Sequence, residues 1–351
     1  MQYNNVWDYR HSAKEALTKE AWDYLEGGAG DEHTVQHNRA IFNQYSFRPK
    51  IPSKIVDKIN TDVSILGIKR ELPILLGPVS PLQLFHSGGE RAQVQGASDA
   101  NTVAVCSGHS LAKIEEMGSW NGRKWLQLYS TVDAAHNYEI IDRACRAGYE
   151  ALVVTVDAFH KAIRDRDLKN SFKLPSGIGF GNYPVKSYRA DGSIELLPLG
   201  WDDLTSILEY SEIPVIIKGI LSPDDVKLAS EIGFSGVVIS NHGGRQLDRA
   251  STTLDVLQEL RGVSRNGFDI YIDGGFMRGV DILMALALGA SAVFLGRAYV
   301  YGLVVAGGSG VSDVVSILMN ELTNAMRQIG VSSISELSSE LLTKNNCTFT
   351  I

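Results

Sequence analysis

The sequence predicts an α/β protein built on a closed (β/α)8 (TIM) barrel, with an N-terminal helical extension and a long lid loop after the fourth strand. Three observations carry this. Eight short apolar runs rich in β-branched residues recur from residue 73 onward, and helix-like stretches with start signals separate most of them. No GxGxxG follows the first run, as a doubly wound dinucleotide-binding sheet would require. At 351 residues the chain has room for two domains of ~150 residues, but one barrel of ~250 residues with extensions also fits. The eight consecutive units favour one domain over 1–351: an extension (1–72), a barrel (73–310) and a C-terminal helical segment (311–351).

The elements follow in order. The extension contains a helical stretch over 11–26, ended by Gly27 and Gly28. The strand runs are PILLGPV (73–79), TVAVCSG (102–108), WLQLYS (125–130) and ALVVTVD (151–157), then PVIIKGI (214–220), GVVISNHGG (236–244), DIYIDGG (269–275) and AVFLGRA (292–298). Each is nearly continuous in Val, Ile and Leu, as strands buried on both faces are. After the fifth run, Ser222 can cap a helix, Pro223 takes its first position and two aspartates fill its first turn. RGVDILMALALG after the seventh run is a second such helix. The longest apolar run, Ile282 to Gly296, is closed by Asp281 and Arg297 and falls short of the ~18–20 residues that span a bilayer. It reads as helix, turn and buried strand. Residues 158–200 are too long for an ordinary connection and read as an active-site lid, within which GIGFGN (177–182) is loop.

Composition narrows the function classes. Hydrophobic residues make up 44% and charged ones 21%, an ordinary globular balance. With 33 Lys+Arg against 40 Asp+Glu the net charge is −7, which argues against a nucleic-acid binder. Cys106, Cys145 and Cys347 show no CxxC spacing, so neither a disulfide scaffold nor a metal site is expected, and a reducing cytoplasm fits. The opening MQYNNVWDYRHSAKEAL lacks the apolar core of a secretory signal. No membrane partner is expected.

In such a barrel function collects at the carboxyl ends of the strands. Here those ends carry Gln127 and Tyr129, Thr155 and Asp157, Lys218, then Ser240, Asn241, His242 and Arg245, and finally Asp273 and Arg297. Charged groups on apolar strands are costly unless paired or used, and so many at one end point to use. DGGFMRG and LGRA place Gly275, Arg278, Gly296 and Arg297 on the late strands, where barrels bind phosphate through bare N–H groups, a helix N-terminus and guanidinium forks. A lone histidine on an apolar face is usually structural; the company of Asn241, Gly243, Gly244 and Arg245 makes His242 the candidate for proton chemistry. Asp157 can stabilise its imidazolium. Arg164 and Arg245 form a candidate carboxylate clamp, although RDRDLK (164–169) also reads as a solvated face of alternating charge.

SNHGGRQLD (240–248) and IDGGFMRGVDILMALALGASAVFLGR (272–297), with DYLEGGAGDEHTVQHNRAIF (23–42), WLQLY, TVD, RDRDLKN and IIKGI, closely resemble the FMN-dependent (S)-2-hydroxy-acid oxidases and dehydrogenases. That group contains glycolate oxidase, lactate oxidase and mandelate-oxidising enzymes, and the resemblance covers almost the full chain. It implies FMN across the top of the barrel: phosphate on Gly275, Arg278, Gly296 and Arg297, ribityl chain on Asp273, isoalloxazine near Ser107, Gln127 and Thr155. It also places Ser240 with the cofactor residues, and Lys218 where its charge stabilises reduced flavin. The substrate carboxylate would meet Arg164, Arg245 and Tyr24, with Tyr129 near the hydroxyl. His242 would take the hydroxyl proton while hydride passes to the flavin, supported by Asp157; removal of the α-proton first gives the same product. Three departures stand out. Ser80 replaces a small Ala or Gly, His109 stands where a bulky aromatic lies near the substrate, and FHKAI (159–163) replaces a Gly-Arg-Arg stretch.

The resemblance therefore implies a cytoplasmic, lactate oxidase-like homotetramer that oxidises a 2-hydroxy acid to the 2-oxo acid and returns electrons to O2 as H2O2. The alternatives are a soluble dehydrogenase using another acceptor, a flavin- or phosphate-binding barrel isomerase or lyase, and a flavin-binding protein without turnover.

Overall fold

The computed structural model describes residues 3–49, 58–184, 194–260 and 267–345. The centre of the expected lid, 185–193, and Cys347 lie outside them. Each expected run contains a barrel strand: β1 (Ile74–Leu76), β2 (Val103–Ser107), β3 (Arg123–Leu128), β4 (Leu152–Thr155), β5 (Val215–Ile220), β6 (Gly236–Ile239), β7 (Asp269–Ile272) and β8 (Ala292–Leu295). All neighbours pair in parallel, and β8 pairs back to β1, closing the barrel. The rival open sheet is excluded.

Alternation explains why continuous apolar runs are needed. Leu75, Val105, Trp125, Val153, Ile216, Val238, Tyr271 and Phe294 point inward and form one buried cluster. Their neighbours Ile74, Leu76, Cys106, Leu126, Leu152, Val154, Ile217, Ile239 and Val293 belong to the second cluster, between strands and helices. The amino end of the barrel is plugged by a hairpin, Val63–Ile65 with Ile68–Arg70, which buries Ile65 inside. Its Leu66 N–H donates to Asp269 at the start of β7 (2.7 Å). Apolar filling and a plugged floor leave the carboxyl end as the open one.

The helices follow the expected signals. α1 (Val6–Ala16) and α2 (Lys19–Glu26) occupy the extension, with α3 (His33–Ala40) after them. One helix was expected over 11–26; two form, because the Thr18 hydroxyl caps α2 by accepting the Ala21 N–H. The barrel layer consists of α4 (Gly89–Asp99), α5 (Ile114–Ser119), α6 (Ala134–Arg146), α8 (Trp201–Tyr210), α9 (Pro223–Ile232), α10 (Thr253–Glu259) and α11 (Gly279–Ala287); α7 (Asp165–Lys169) lies in the lid region. α9 starts as its sequence dictates, with Ser222 as cap and Pro223 at its first position. Residues 282–296 resolve into helix, turn and strand.

The C-terminal boundary needs correction. α12 runs from Arg297 to Ile329, so residue 310 falls inside it, and residues 330–345 contain two 3-10 turns and a strand, Leu342–Lys344, paired with Tyr45–Phe47. α12 is long and apolar enough by composition to cross a membrane. Here it bends at Ala306 and Gly307 and buries one face against α1, α4 and α11. A Cβ at Gly96 of α4 would lie 2.5 Å from the Gly308 carbonyl oxygen, so only glycine permits that packing.

Candidate active site

Extending the inward register two residues past the apolar layer produces the site. Ser107, Gln127, Thr155, Lys218, Ser240 and Asp273 form a polar layer, and His109, Tyr129, Asp157 and His242 continue it upward. Above them opens a cavity of about 570 Å³. Tyr24, Ser80, Ser107, His109, Tyr129, Thr155, Arg164, Lys218, His242, Arg245, Asp273, Gly275, Gly296 and Arg297 all line it.

His242 is held by its loop. Its φ of +58° lies in the left-handed region that non-glycine residues seldom adopt, and Gly243 (+62°) and Gly244 (+75°) continue the turn. Asn241 fixes this turn by accepting the Gly244 N–H (3.1 Å) and by exchanging two 2.8 Å amide bonds with Asn38 of α3. His242 Nδ1 sits 3.0 Å from Asp157 Oδ1, which leaves Nε2, 3.4 Å from the Tyr129 hydroxyl, for the cavity. Burial pushes the His242 imidazolium below its ordinary range by more than Asp157 restores, and Lys218 and Arg164 add to the loss. Burial alone would raise the Asp157 carboxyl, but His242 and Lys218 outweigh it and hold it below the carboxylate range. The resting pair is therefore a neutral imidazole on a carboxylate, a base ready to take a proton.

Two guanidinium groups stand beside this base. Arg245 Nη1 donates to the carbonyls of Tyr24 (2.6 Å) and Gly27 (2.8 Å), and its cation lies 5.0 Å from the centre of the Tyr24 ring. Among the described residues no carboxylate lies within ion-pair distance of it. Burial and Arg164 bring the Arg245 pKa down to about 10, so it stays charged at neutral pH. Arg164 bonds the Arg245 carbonyl (3.0 Å) and Gln246 (3.1 Å), with Asp167 at 3.8 Å. Of the two readings of RDRDLK, Arg164 joins the cavity wall while Asp165 and Lys169 form a loose exposed pair.

The cofactor candidates divide by depth. Lys218 Nζ donates to the Ser240 hydroxyl (2.7 Å) and pairs with Asp273 (3.1 Å), and Ser240 donates to Asp273 Oδ2 (2.8 Å). Gln127 joins Ser107 (2.7 Å) to Thr155 (3.0 Å). Ser240 and Gln127 thus stand behind the wall and orient the residues that form it. Arg278 differs from expectation: its side chain pairs with Glu321 of α12 (2.9 Å) and takes no part in the cavity wall, whereas its neighbour Met277 does. The shape suits FMN. Asp273 Oδ1 is buried without a partner, as a ribityl hydroxyl would require, and nothing lies within 4 Å of a Cβ built on Gly296. A Cβ on Gly275 would meet the Asn38 carbonyl at 2.0 Å, so α3 can close this end only over glycine.

Gln246, Asn182 and Phe172 were not anticipated, whereas Ser80 and His109 were. Gln246 donates to the carbonyls of Asp157 (2.9 Å) and His160 (3.2 Å). Asn182 ties the lid to the β2 loop, accepting from Ile114 (2.9 Å) and donating to Ala112 (3.0 Å) and Gly108 (3.3 Å). Phe172 stacks on Tyr24 with centroids 4.7 Å apart. Ser80 donates its hydroxyl to the His109 carbonyl, which orients that group toward the β2 loop. His109 packs against Tyr129 (4.3 Å) and Phe180 (4.8 Å), and burial depresses its pKa to about 3, so it is neutral.

A barrel with a neutral His–Asp base, two adjacent guanidinium groups and a cavity that offers the unpartnered Asp273 Oδ1 and open glycine backbone fits an oxidoreductase for an acid bearing a C–OH group. Residues 13–344 match the model of the FMN-dependent dehydrogenase family. The chain is 39% identical to an L-lactate oxidase of Nostoc sp., covering 96% of this chain and 97% of that one. It is 35% identical to a glycolate oxidase of Zea mays, covering 96% and 95%. A soluble mutant of the membrane-associated (S)-mandelate dehydrogenase from Pseudomonas putida superposes with a TM-score of 0.92 at 35% identity, covering 98% of this chain and all of that one. This chain belongs to the FMN-dependent dehydrogenase family, and its cofactor is FMN.

Proposed function

We propose that the chain oxidises an (S)-2-hydroxy acid to the 2-oxo acid and passes the electrons to O2, yielding H2O2. The observation that carries this is Arg245, a half-buried cation without a carboxylate partner among the described residues, next to a neutral base. A substrate carboxylate completes its pairing, and Arg164 and Tyr24 extend the clamp. Clamped there, the 2-hydroxyl lies toward His242 Nε2 and Tyr129. His242 takes the hydroxyl proton, Asp157 stabilises the imidazolium and Tyr129 orients the oxygen. Bound FMN supplies the two-electron acceptor, and Lys218 places positive charge in the polar layer below it.

Beyond Tyr129, the neutral His109 with Phe180, Ile194 and Leu196 makes the wall uncharged, with the unpartnered His109 Nε2 as its polar atom, which favours an uncharged side chain over a second carboxylate. The oxidase names of the Nostoc and Zea mays relatives support O2 as acceptor. The same reading carries a cytoplasmic homotetramer, supported by the resemblance and by the unpaired Cys106 and Cys145. Oxygen uptake and peroxide release with (S)-2-hydroxy acids, from glycolate and lactate to branched and aromatic ones, test the proposal. Peroxide equal to 2-oxo acid is expected. Dye reduction without peroxide would replace O2 by another acceptor, and no turnover with any acid would overturn the reading.

A further inference from the structure

α7 carries little that would hold it in place by itself. It spans five residues, Asp165–Lys169, none of them buried, and Leu168 stays exposed. A helix this short is not stable on its own in water. Yet its segment supplies Arg164, which lines the cavity directly before the first turn, and Phe172, which stacks on Tyr24 of α2. The spacing of Arg164 and Tyr24 therefore depends on how α7 is joined to α2.

The joint is polar. Arg166 and Asn170, four residues apart, share one face of α7. Arg166 pairs with Glu32 through Nη2 (2.6 Å) and with Asp23 of α2 through Nη1 (3.5 Å). Asn170 donates to Asp23 (2.8 Å) and accepts from Lys19 (2.6 Å), which itself pairs with Asp23 (2.7 Å). Glu32 gives its other oxygen to the Gly28 N–H (3.1 Å), so one carboxylate holds both α7 and the turn after α2. Arg166 is half-buried and stands outside the cavity wall, as do Asp23 and Glu32. We propose that Arg166 is a positioning residue for the substrate: by clasping α7 to Asp23 and Glu32 it sets Arg164 and Tyr24 around the substrate carboxylate. The proposal rests on hydroxy-acid oxidation as the reaction. A guanidinium shared between two partly buried carboxylates holds better than an isolated surface pair. Arg164 keeps its own bonds to the Arg245 carbonyl and Gln246, so loss of the clasp shifts the clamp without abolishing it. The carboxylate is held alike in the ground and transition states, so a shifted clamp raises KM and spares kcat.

The test uses the FMN-loaded enzyme and the 2-hydroxy acid it turns over fastest. Arg166→Ala should raise KM about tenfold, with kcat within about twofold of wild type and FMN retained, and Arg166→Lys should restore most of the loss. Glu32→Gln keeps an acceptor for Gly28 but removes the charge, and should raise KM in the same direction. In an Arg164→Met background Arg166→Ala should add little, because the two act as one unit. Amide exchange over residues 164–172 should speed up in Arg166→Ala, a readout that needs no turnover. An unchanged KM, a fall in kcat alone, an equally large further rise in the Arg164→Met background, or unchanged exchange would each overturn the proposal. If Arg166→Ala does not fold, KM and exchange of Glu32→Gln decide it. If the wild type turns over no acid, the substrate reading fails, and exchange alone decides whether Arg166 holds α7.

Discussion

His242 works as a base only while neutral, and its environment keeps it so. Because burial lowers its pKa below the ordinary 6.5, kcat/KM should be flat above that value and fall only as pH drops through the lowered one. An acid limb centred above 6.5 in steady-state pH profiles would contradict the assignment. Arg245→Met removes the unpaired cation; we expect kcat/KM to fall by about a hundredfold or more, with FMN still bound. Legibility at this scale was uneven for a physical reason. Residues on strand ends, such as Thr155, Lys218 and Asp273, were readable because alternation fixes which way they point. Arg278 was not, because it sits in a turn where one step decides between cavity and surface, and Glu321, far along the chain in α12, draws it outward. That no carboxylate among the described residues pairs with Arg245 likewise emerges only in three dimensions.

At the scale of elements, the catalytic loop depends on α3. The paired amides of Asn38 and Asn241 are both buried, and Asn241 also holds the Gly244 N–H. Asn38→Ala removes two of the four hydrogen bonds of the buried Asn241 amide, which keeps Ser251 and Gly244, at a cost of about 1–3 kcal/mol, and loosens the turn that holds His242 at positive φ. Urea midpoint and kcat should both fall, and an unchanged kcat would show that the turn holds without α3. The strand runs and α9 were legible from apolar pattern and caps. The break between α1 and α2 was missed because the Thr18 cap lies inside an otherwise continuous helical pattern. The tie of Asn182 across to Ile114 joins residues 68 positions apart, and no local pattern announces it.

For the whole molecule, closure of eight strands was legible because the pattern repeats eight times, and the plugged floor and apolar filling leave function one place to go. The length of α12 was not, since nothing local to the glycine-rich AGGSG announces the packing against α4 that keeps it helical apart from the bend at Ala306 and Gly307. FMN held in a cavity lined by both the extension and the late strands would tie the two together, so loss of cofactor should lower the thermal midpoint, and added FMN should raise it in proportion to the logarithm of its concentration. A midpoint insensitive to FMN would separate the cavity from the cofactor. The most direct test of the whole account is an anaerobic titration of the holoenzyme with (S)-lactate and bulkier (S)-2-hydroxy acids, beside the His242→Ala variant, watching the visible flavin bands. The account predicts bleaching of the wild type with one equivalent of 2-oxo acid formed, and a variant that keeps its FMN yet bleaches at least a hundredfold more slowly, on the order expected for loss of a general base. A variant that bleaches at the wild-type rate would contradict it.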